Sequence, residues 1–173
     1  VTPQWVDALH ATPVNRISMG VQSFDDAVLH KMGRRHDAAQ AREAYRILRA
    51  AGFDNISLDF IFGFSDALDL DAMKGALLQM GLPEHISCYQ LSIEEGSGLD
   101  KMVQKGLYTM PSDEEGEAQY YAVCDMLRGL GYEHYEISNF AKRNMESRHN
   151  LKYWQLGDYA GFGASAASCV VGQ

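Results

Sequence analysis

The segment from Asn55 to Gly63 constrains the fold of this chain more than any other, because its alternating pattern predicts a strand with two unlike faces. Side chains of a strand point alternately to its two faces. The apolar face carries Ile56, Leu58, Phe60 and Phe62, and the polar face carries Asn55, Ser57 and Asp59. Helical patterns flank the segment, which predicts a parallel strand. Since parallel strands are normally apolar on both faces, a polar face indicates an interior that receives a ligand.

Two other segments show the same alternation of polar and apolar residues. One runs from Asn15 to Phe24, and its polar face consists of Arg16, Ser18, Gly20 and Gln22. The other runs from His85 to Glu95, and its last polar residues on one face are Gln90, Ser92 and Glu94. Helical patterns between these strands leave room for right-handed crossovers, so we predict an α/β fold with an incomplete, TIM-like β/α barrel. An antiparallel sheet with one solvated face would show the same alternation.

Capping sequences mark where the helices begin. Thr2 is a predicted N-cap with Pro3 at the first helical position, and capping boxes begin at Asp37 and Ser112. The predicted helices cover residues 37–52, 69–80, 96–110 and 112–131. Beyond them, residues 132–140 alternate like a strand, residues 141–156 read as irregular, and residues 157–172 read as a final strand. We assign residues 1–95 to the barrel and residues 96–173 to a C-terminal α+β layer.

The length of the chain limits how much of a barrel it can form by itself. It has 173 residues, of which 46% are hydrophobic, and this suffices for one core. Three βα units cannot close a complete TIM barrel, however, and the chain starts at Val1 inside a helix signature. We therefore expect this chain to be the C-terminal part of a longer protein.

Charge and cysteine content exclude several classes of protein. A net charge of −8 argues against a nucleic-acid partner, which usually requires a basic face. No apolar run approaches the ~20 residues of a membrane span, and no signal peptide is recognisable, although association with a membrane surface stays open. The three cysteines are far apart and odd in number, which indicates a reducing, cytoplasmic environment and no metal-ligand spacing.

Asp59 is the first candidate for a functional role. A carboxylate on the inner face of a central strand costs several kcal/mol unless it is paired or hydrogen-bonded. One carboxylate can accept hydrogen bonds from both hydroxyls of a sugar diol, as in dinucleotide sites. The structural alternative is an ion pair with Arg16.

Gln22 and the segment Arg34, Arg35 and His36 lie at predicted loops on the carboxyl ends of the strands, where barrels bind ligands. The amide of Gln22 offers a donor and an acceptor, or it caps a loop. An arginine in this position can hold a ligand carboxylate through two hydrogen bonds, although adjacent arginines are also typical of a solvated surface.

The segment from His149 to Trp154 combines an imidazole with Tyr153 and Trp154. Such groups bind a flat apolar ligand or ligate its metal, although a histidine beside aromatic residues more often packs in a core. The glycines from Gly161 to Ser165 give only a weak indication of a phosphate site.

These segments resemble a known family. The stretches at residues 14–24, 33–36, 52–63 and 132–141, in this order, are similar to radical S-adenosylmethionine (SAM) proteins related to oxygen-independent coproporphyrinogen III oxidase. The pattern His149-Asn150-x-x-Tyr153-Trp154 resembles the HemW-type haem chaperone branch rather than the oxidase itself.

The resemblance implies a partial barrel, a [4Fe–4S] cluster held by three cysteines, and SAM bound to that cluster. It implies that Gln22 and Asp59 hold the ribose hydroxyls, Arg34 holds the methionine carboxylate and Ile61 lies against the adenine. It associates His149 with haem. The cluster cysteines of the family belong upstream of Val1, so the resemblance implies no cluster ligand and no activity in this piece alone.

The chain departs from the family pattern at two places. Gly63-Phe64-Ser65 stands where the family has Gly-Leu-Pro, and Ser165-Ala166-Ala167-Ser168 stands where it has Gly-Ala-His-Ser. The resemblance implies haem delivery to an accepting protein by a parent that binds haem, a cluster and SAM. The alternative is a radical SAM oxidoreductase that decarboxylates coproporphyrinogen III in porphyrin biosynthesis. An ordinary β/α-barrel hydrolase is disfavoured because nucleophile and metal motifs are missing.

Overall fold

Three parallel strands, each followed by helical structure, form the first part of the fold. The computed structural model describes residues 1–64 and 68–170. The helices are α1 (Pro3–His10), α2 (Asp26–Lys31), α3 (Ala38–Ala50), α4 (Leu70–Gln79), α5 (Gly98–Gln104), α6 (Asp113–Gly129) and α7 (Arg148–Trp154). The strands are β1 (Ile17–Gln22), β2 (Ile56–Phe62), β3 (His85–Gln90), β4 (Glu133–His134) and β5 (Asn139–Ala141).

The five strands form one sheet in the order β1-β2-β3-β5-β4. Strands β1, β2 and β3 are parallel, which confirms the predicted barrel segment and excludes the antiparallel alternative for these strands. Strands β5 and β4 extend the sheet in antiparallel pairing beyond β3. The register places Gly20 and Ser87 on either side of Asp59, and His85 beside Ser57.

The predicted division of the faces of β2 is correct. Its apolar face is buried in the core, and the helices α3, α4 and α6 pack on that side. The buried residues of this layer include Ile56, Leu58, Phe60, Phe62, Leu48, Leu77 and Leu127. Each such side chain contributes about 1.5–3 kcal/mol by leaving water. This packing leaves the polar row on the opposite face of the sheet.

The capping predictions are confirmed. The side chain of Thr2 accepts a hydrogen bond from the backbone N–H of Trp5 at the start of α1. Complete capping boxes at Asp37 and Ser112 begin α3 and α6. Helices α4 and α5 lie within the predicted ranges 69–80 and 96–110. These side chains satisfy backbone N–H groups that have no partner within a helix, so short motifs suffice to locate the helix starts.

The C-terminal layer differs from the prediction. Residues 132–140 form no single strand but a hairpin, in which β4 turns back to pair with β5. The segment predicted to be irregular contains α7, whose N-cap Ser147 accepts a hydrogen bond from the N–H of Asn150. In the described part of residues 157–172 the pairing is an isolated bridge between Tyr159 and Cys169, so the predicted final strand is wrong there.

Two differences concern the barrel segment. Strand β3 ends at Gln90 and does not continue to Glu95. The short helix α2 was not predicted, although Asp25 caps it by accepting hydrogen bonds from two backbone N–H groups. Ser65, part of one departure from the family pattern, lies outside the described residues. No helix in residues 1–64 and 68–170 is long and apolar enough to cross a bilayer.

Candidate functional site

The carboxylate of Asp59 lies on the polar face of the sheet, where two serine hydroxyls hold it. Ser18 Oγ on β1 donates to Asp59 Oδ2 at 2.9 Å and lies 3.1 Å from Oδ1. Ser57 Oγ lies 3.2 Å from Asp59 Oδ1. A carboxylate accepts about four hydrogen bonds, so it retains capacity for ligand hydroxyls. Asp59 is therefore held in place and still available.

The alternative ion pair between Asp59 and Arg16 is absent from the salt bridges of the described residues. Arg16 instead lies near His85, and its buried Nε has no hydrogen-bond partner in the structure. The structural alternative for Asp59 is thus wrong. Hydrogen bonds from serine hydroxyls, and not a guanidinium, offset the free-energy cost of placing this carboxylate on the inner face.

The side chain of Gln22 folds back over the inner face. Gln22 has a φ of 68° and lies at an irregularity in the β1–β2 register. Its Nε2 would lie 2.6 Å from a Cβ at Gly20, so the amide occupies the space that the missing side chain leaves. Because Gly20 pairs with Asp59, the fold brings Gln22 and Asp59 to the same region. A positive φ at a residue with a side chain is strained and is concentrated at functional sites.

Arg34 is positioned by the end of α2. Gly33 has a φ of 68°, and the N–H of Arg34 donates to the carbonyl of Leu29 at 2.9 Å. This is the long hydrogen bond of a Schellman motif, which requires a left-handed residue at the glycine position. The motif fixes the backbone of Arg34 against the last turn of α2.

Two cavities adjoin Ile61. Arg34 and Ile61 line one of about 320 Å³, together with apolar residues that include Leu91 and Met102. Gln22 and Ile61 line the other, of about 310 Å³. Asp59 precedes Ile61 by two residues and shares its face of β2, because side chains alternate. Asp59 lines neither cavity, and the Gln22 cavity extends to core residues such as Phe60 and Cys88. The structure thus brings Ile61 next to Gln22 in one cavity and next to Arg34 in the other, with Asp59 on the same face of β2 as Ile61.

The remaining residues of the predicted arginine segment differ from Arg34. His36 Nε2 lies 3.0 Å from the carbonyl oxygen of Val21, a bond that ties the α3 cap to β1. Arg35 is exposed and lines a shallow polar cleft with Asp26 and His30. His36 is thus a structural residue.

The segment at residues 149–154 is helical, which decides what its side chains can do. His149 and Tyr153 lie four residues apart on one face of α7, with Tyr153 Oη 2.8 Å from His149 Nε2. Tyr153 also packs edge-on against Tyr159, at 4.6 Å between ring centroids. Trp154 follows about 100° further round the helix and is exposed. His149 is exposed and outside the core, so the core-packing alternative does not hold.

Comparison with known proteins shows the family of this chain. Residues 1–71 match the Radical SAM superfamily. Heme chaperone HemW of Lactococcus lactis subsp. lactis (strain IL1403) is 36% identical over 171 residues, which cover 96% of this chain and 44% of that protein. This chain belongs to the radical SAM superfamily.

Other matches of this radical SAM chain extend the comparison. Heme chaperone HemW of Bacillus subtilis (strain 168) is 39% identical over 171 residues, covering 92% of this chain and 42% of that protein. The chain therefore spans less than half the length of these relatives. The solved structure of coproporphyrinogen III oxidase (HemN) from Escherichia coli, a radical SAM enzyme, superposes with a TM-score of 0.72 at 19% identity. It covers 98% of this chain and 42% of that one, and it shows the shared fold.

The cysteines of this radical SAM chain do not fit an iron–sulfur cluster. Cys88 and Cys124 are buried, and burial raises the pKa of the Cys88 thiol to about 12. Cluster ligands are thiolates, which this environment disfavours. Among the described residues, no group of three or more His, Cys, Asp and Glu side chains could hold a metal ion.

Sequence reasoning missed His85 as a member of the site of this radical SAM chain. His85 Nδ1 lies 2.8 Å from Ser57 Oγ, and its Nε2 lies 2.7 Å from Tyr135 Oη. Burial, and secondarily the charge of Arg16, lowers the pKa of His85 to about 3. A histidine at the start of a strand carries no signal by itself. The parallel register that sets it beside Ser57 would have revealed it.

His134 and Gly161 of this radical SAM chain have structural roles. His134 stacks on Phe140 at 4.3 Å between ring centroids, and its Nε2 lies 3.1 Å from the carbonyl oxygen of Ile137, as expected for a packed histidine. Gly161 lies so close to the carbonyl of Ala167 that a Cβ would approach it to 2.2 Å. This glycine serves packing of the chain on itself rather than an approach to phosphate.

Proposed function

We propose that this chain is part of a haem chaperone that binds SAM at the inner face of its barrel and contacts haem through α7. The observation that carries the proposal is the position of Ile61 in the two cavities that Gln22 and Arg34 line, with Asp59 opposite Gly20 in the β1–β2 pairing, in a chain similar to heme chaperones HemW. The exposed pair of His149 and Tyr153 supports the haem part.

Each of these residues suits a different part of SAM. Asp59 accepts hydrogen bonds from the ribose hydroxyls, and the amide of Gln22 reaches the same region. Arg34 donates to the methionine carboxylate, and Ile61 offers apolar surface to the adenine. When bound to a reduced cluster, SAM is a source of the deoxyadenosyl radical. The cluster takes its ligands from cysteines outside this chain.

For haem, His149 is the proposed iron ligand. Histidine is a common axial ligand of haem iron. An iron bound at His149 Nε2 would take the place of the hydrogen bond between this nitrogen and the hydroxyl of Tyr153. His134 is a poor alternative because its Nε2 already donates to the Ile137 carbonyl. A haem-accepting protein is the proposed partner, and the free buried cysteines support a cytoplasmic setting. In this proposal residues 1–95 belong to the barrel and residues 96–173 form the C-terminal α+β layer.

The second candidate is an oxidase that decarboxylates coproporphyrinogen III. The structural similarity to HemN supports it, because both chains share one fold. The two candidates differ in what happens to a porphyrin. A chaperone binds and releases haem unchanged, whereas the oxidase consumes coproporphyrinogen III and forms protoporphyrinogen IX.

The test uses the whole protein that contains this chain. We expect haem titration to give a Soret shift that His149→Ala abolishes and the matched His134→Ala retains, with no porphyrin product after incubation with coproporphyrinogen III. Loss of the shift in His134→Ala alone would contradict the assignment of His149. Formation of protoporphyrinogen IX would favour the oxidase.

A further inference from the structure

A continuous chain of hydrogen bonds runs from Asp59 to the start of α7. Asp59 Oδ1 lies 3.2 Å from Ser57 Oγ, which lies 2.8 Å from His85 Nδ1. On the other side of the ring, His85 Nε2 lies 2.7 Å from Tyr135 Oη. The backbone N–H of Ser147 donates to that same Tyr135 oxygen at 3.2 Å. The chain thus crosses from β2 to β3, the β4–β5 hairpin and α7; we call it the Asp59–Ser147 relay.

Every proton in the relay has one consistent position. A carboxylate only accepts, so the hydroxyl of Ser57 donates to Asp59. Its oxygen then accepts from His85 Nδ1–H, which leaves Nε2 as the acceptor for the hydroxyl of Tyr135. Tyr135 in turn accepts from the N–H of Ser147. All donors therefore point along the chain towards Asp59, and each bond polarises the next.

The interior position of His85 keeps this arrangement intact. The ring is 1% exposed, and Ser57 is fully buried beside it. Burial and the nearby charge of Arg16 both disfavour the imidazolium, so the ring stays neutral with one donor and one acceptor. The neutral imidazole of His85 has a donor and an acceptor on opposite sides of its ring. It therefore connects Ser57 on the sheet with Tyr135.

The far end of the relay is the first turn of the helix that carries His149. Ser147 is the N-cap of α7, and its hydroxyl accepts from the N–H of Asn150 at 3.4 Å. Tyr135 therefore holds the N-cap residue at the start of α7. Helix α7 has few other ties to the sheet, because it has no buried residue.

We propose that His85 is a positioning residue that ties the carboxylate of Asp59 to the first turn of α7. A ligand hydroxyl that donates to Asp59 shares the charge of the carboxylate with Ser57, and it thereby weakens the Ser57 bond and each later bond of the relay. Binding at Asp59 is thereby coupled to the placement of His149. The identity of the two ligands, SAM and haem, rests on the proposed function, whereas the relay itself does not.

The first experiment needs no ligand and uses amide hydrogen exchange in the whole protein. We expect Asp59→Asn, which replaces a charged acceptor by a neutral one, and His85→Phe, which breaks the relay, each to speed exchange at the N–H of Ser147 by several-fold, up to the about fivefold effect of losing one neutral hydrogen bond. In the His85→Phe background, Asp59→Asn should add nothing, because the connection is already broken. His85→Gln keeps a donor and an acceptor and should restore most of the protection.

Controls separate the relay from general loosening. Tyr120→Phe removes another tyrosine hydroxyl of this layer, one that donates to the carbonyl of Ile137, and should leave Ser147 unchanged. The N–H of Glu115, held by the cap of α6, should exchange at its original rate in every variant. Nitrogen NMR of the His85 ring should show a protonated Nδ1 and an acceptor Nε2. Equal Ser147 exchange in wild type and Asp59→Asn, or a proton on Nε2, overturns the proposal.

The second experiment measures coupling between the ligands. Saturation with SAM should change the haem affinity by about fivefold or more, and this factor should approach one in His85→Phe but not in His85→Gln. A factor that is the same in wild type and His85→Phe refutes the coupling. If neither ligand binds, the proposed function fails, while the exchange result still decides whether the relay exists.

Discussion

The hydroxyl of Ser18 lies within 3.1 Å of both carboxylate oxygens of Asp59, and this contact joins β1 to β2 across the inner face of the sheet. The two residues are separated by 41 positions in the chain. The contact gives the carboxylate a hydrogen-bond partner without neutralising its charge. The site therefore keeps a negative charge for ligand hydroxyls, which an ion pair with Arg16 would have removed.

Asp59→Asn is expected to weaken SAM binding by about tenfold or more, because a hydrogen bond to a charged acceptor contributes roughly 1.5–3 kcal/mol. Isothermal calorimetry on the reconstituted whole protein measures this. The matched control is Asp54→Asn, which removes the same charge from an exposed position just before β2. Equal SAM affinity in wild type and Asp59→Asn would mean that Asp59 serves only its two serine partners.

Gly20→Ala is expected to impair SAM binding through Gln22. The added Cβ would lie 2.6 Å from Gln22 Nε2, so the amide must leave the inner face. We expect a several-fold loss of SAM affinity with little change in thermal stability, since Gln22 is a flexible side chain that can move. Gly75→Ala is the control, because nothing lies within 4 Å of its Cβ. That change should raise stability by up to about 1 kcal/mol, as alanine favours a helix interior. An unaltered SAM affinity in Gly20→Ala would argue against a role for Gln22.

Glu84→Gln is expected to destabilise the fold by about 2 kcal/mol, which urea denaturation measures. Glu84 bonds to Arg49 at 2.6 Å and accepts from the N–H of Ile56 at 3.1 Å. Lys142 lies 3.6 Å away. The side chain of Glu84 is only 12% exposed. Removing its charge therefore leaves the guanidinium of Arg49 without a carboxylate partner in a half-buried position.

The matched control for this change is Glu43→Gln, which breaks a pair with Arg46 on the surface of α3. Both partners of that pair are more than half exposed, so solvent already screens the attraction. We expect no measurable change in the urea midpoint. A loss in Glu43→Gln as large as that in Glu84→Gln would show that burial does not decide the contribution.

The stability of the protein is expected to depend on His85 as the pH falls. The pKa of His85 is lowered to about 3 in the folded state, mainly by burial, from an ordinary value of 6.5. Between these values the unfolded chain binds a proton that the folded chain does not, so stability is lost as the pH drops below 6.5. The loss between pH 7 and pH 5 amounts to about 2 kcal/mol.

Urea denaturation of wild type and His85→Gln at pH 7 and pH 5 isolates this contribution. Glutamine does not titrate, so the stability difference between the two proteins should change by the stated amount in favour of the variant at the lower pH. A difference that is the same at both pH values would show that His85 is protonated in the folded protein at pH 5.

Local sequence patterns account for much of the barrel segment. The alternation at residues 55–63 depends only on side-chain direction along one strand, and the boxes at Asp37 and Ser112 satisfy backbone groups within their own helix. The same logic explains one failure. Ser147 carries an N-cap signal for α7, but the seven residues of that helix contain no apolar periodicity and bury none of their side chains. Without a packed face, its pattern resembled a loop.

The sequence by itself determined the starts of α1, α3 and α6, the two faces of β2 and the residue types available at the strand ends, because each depends on neighbours within a few positions. Only the tertiary structure decided which partners those residues meet. Whether Asp59 faced Arg16 or Ser18, and whether His85 reached Tyr135, depended on the register between strands and on a hairpin about 50 residues away. Register is set by the packing of the whole apolar face against helices from distant parts of the chain, and no local pattern encodes it.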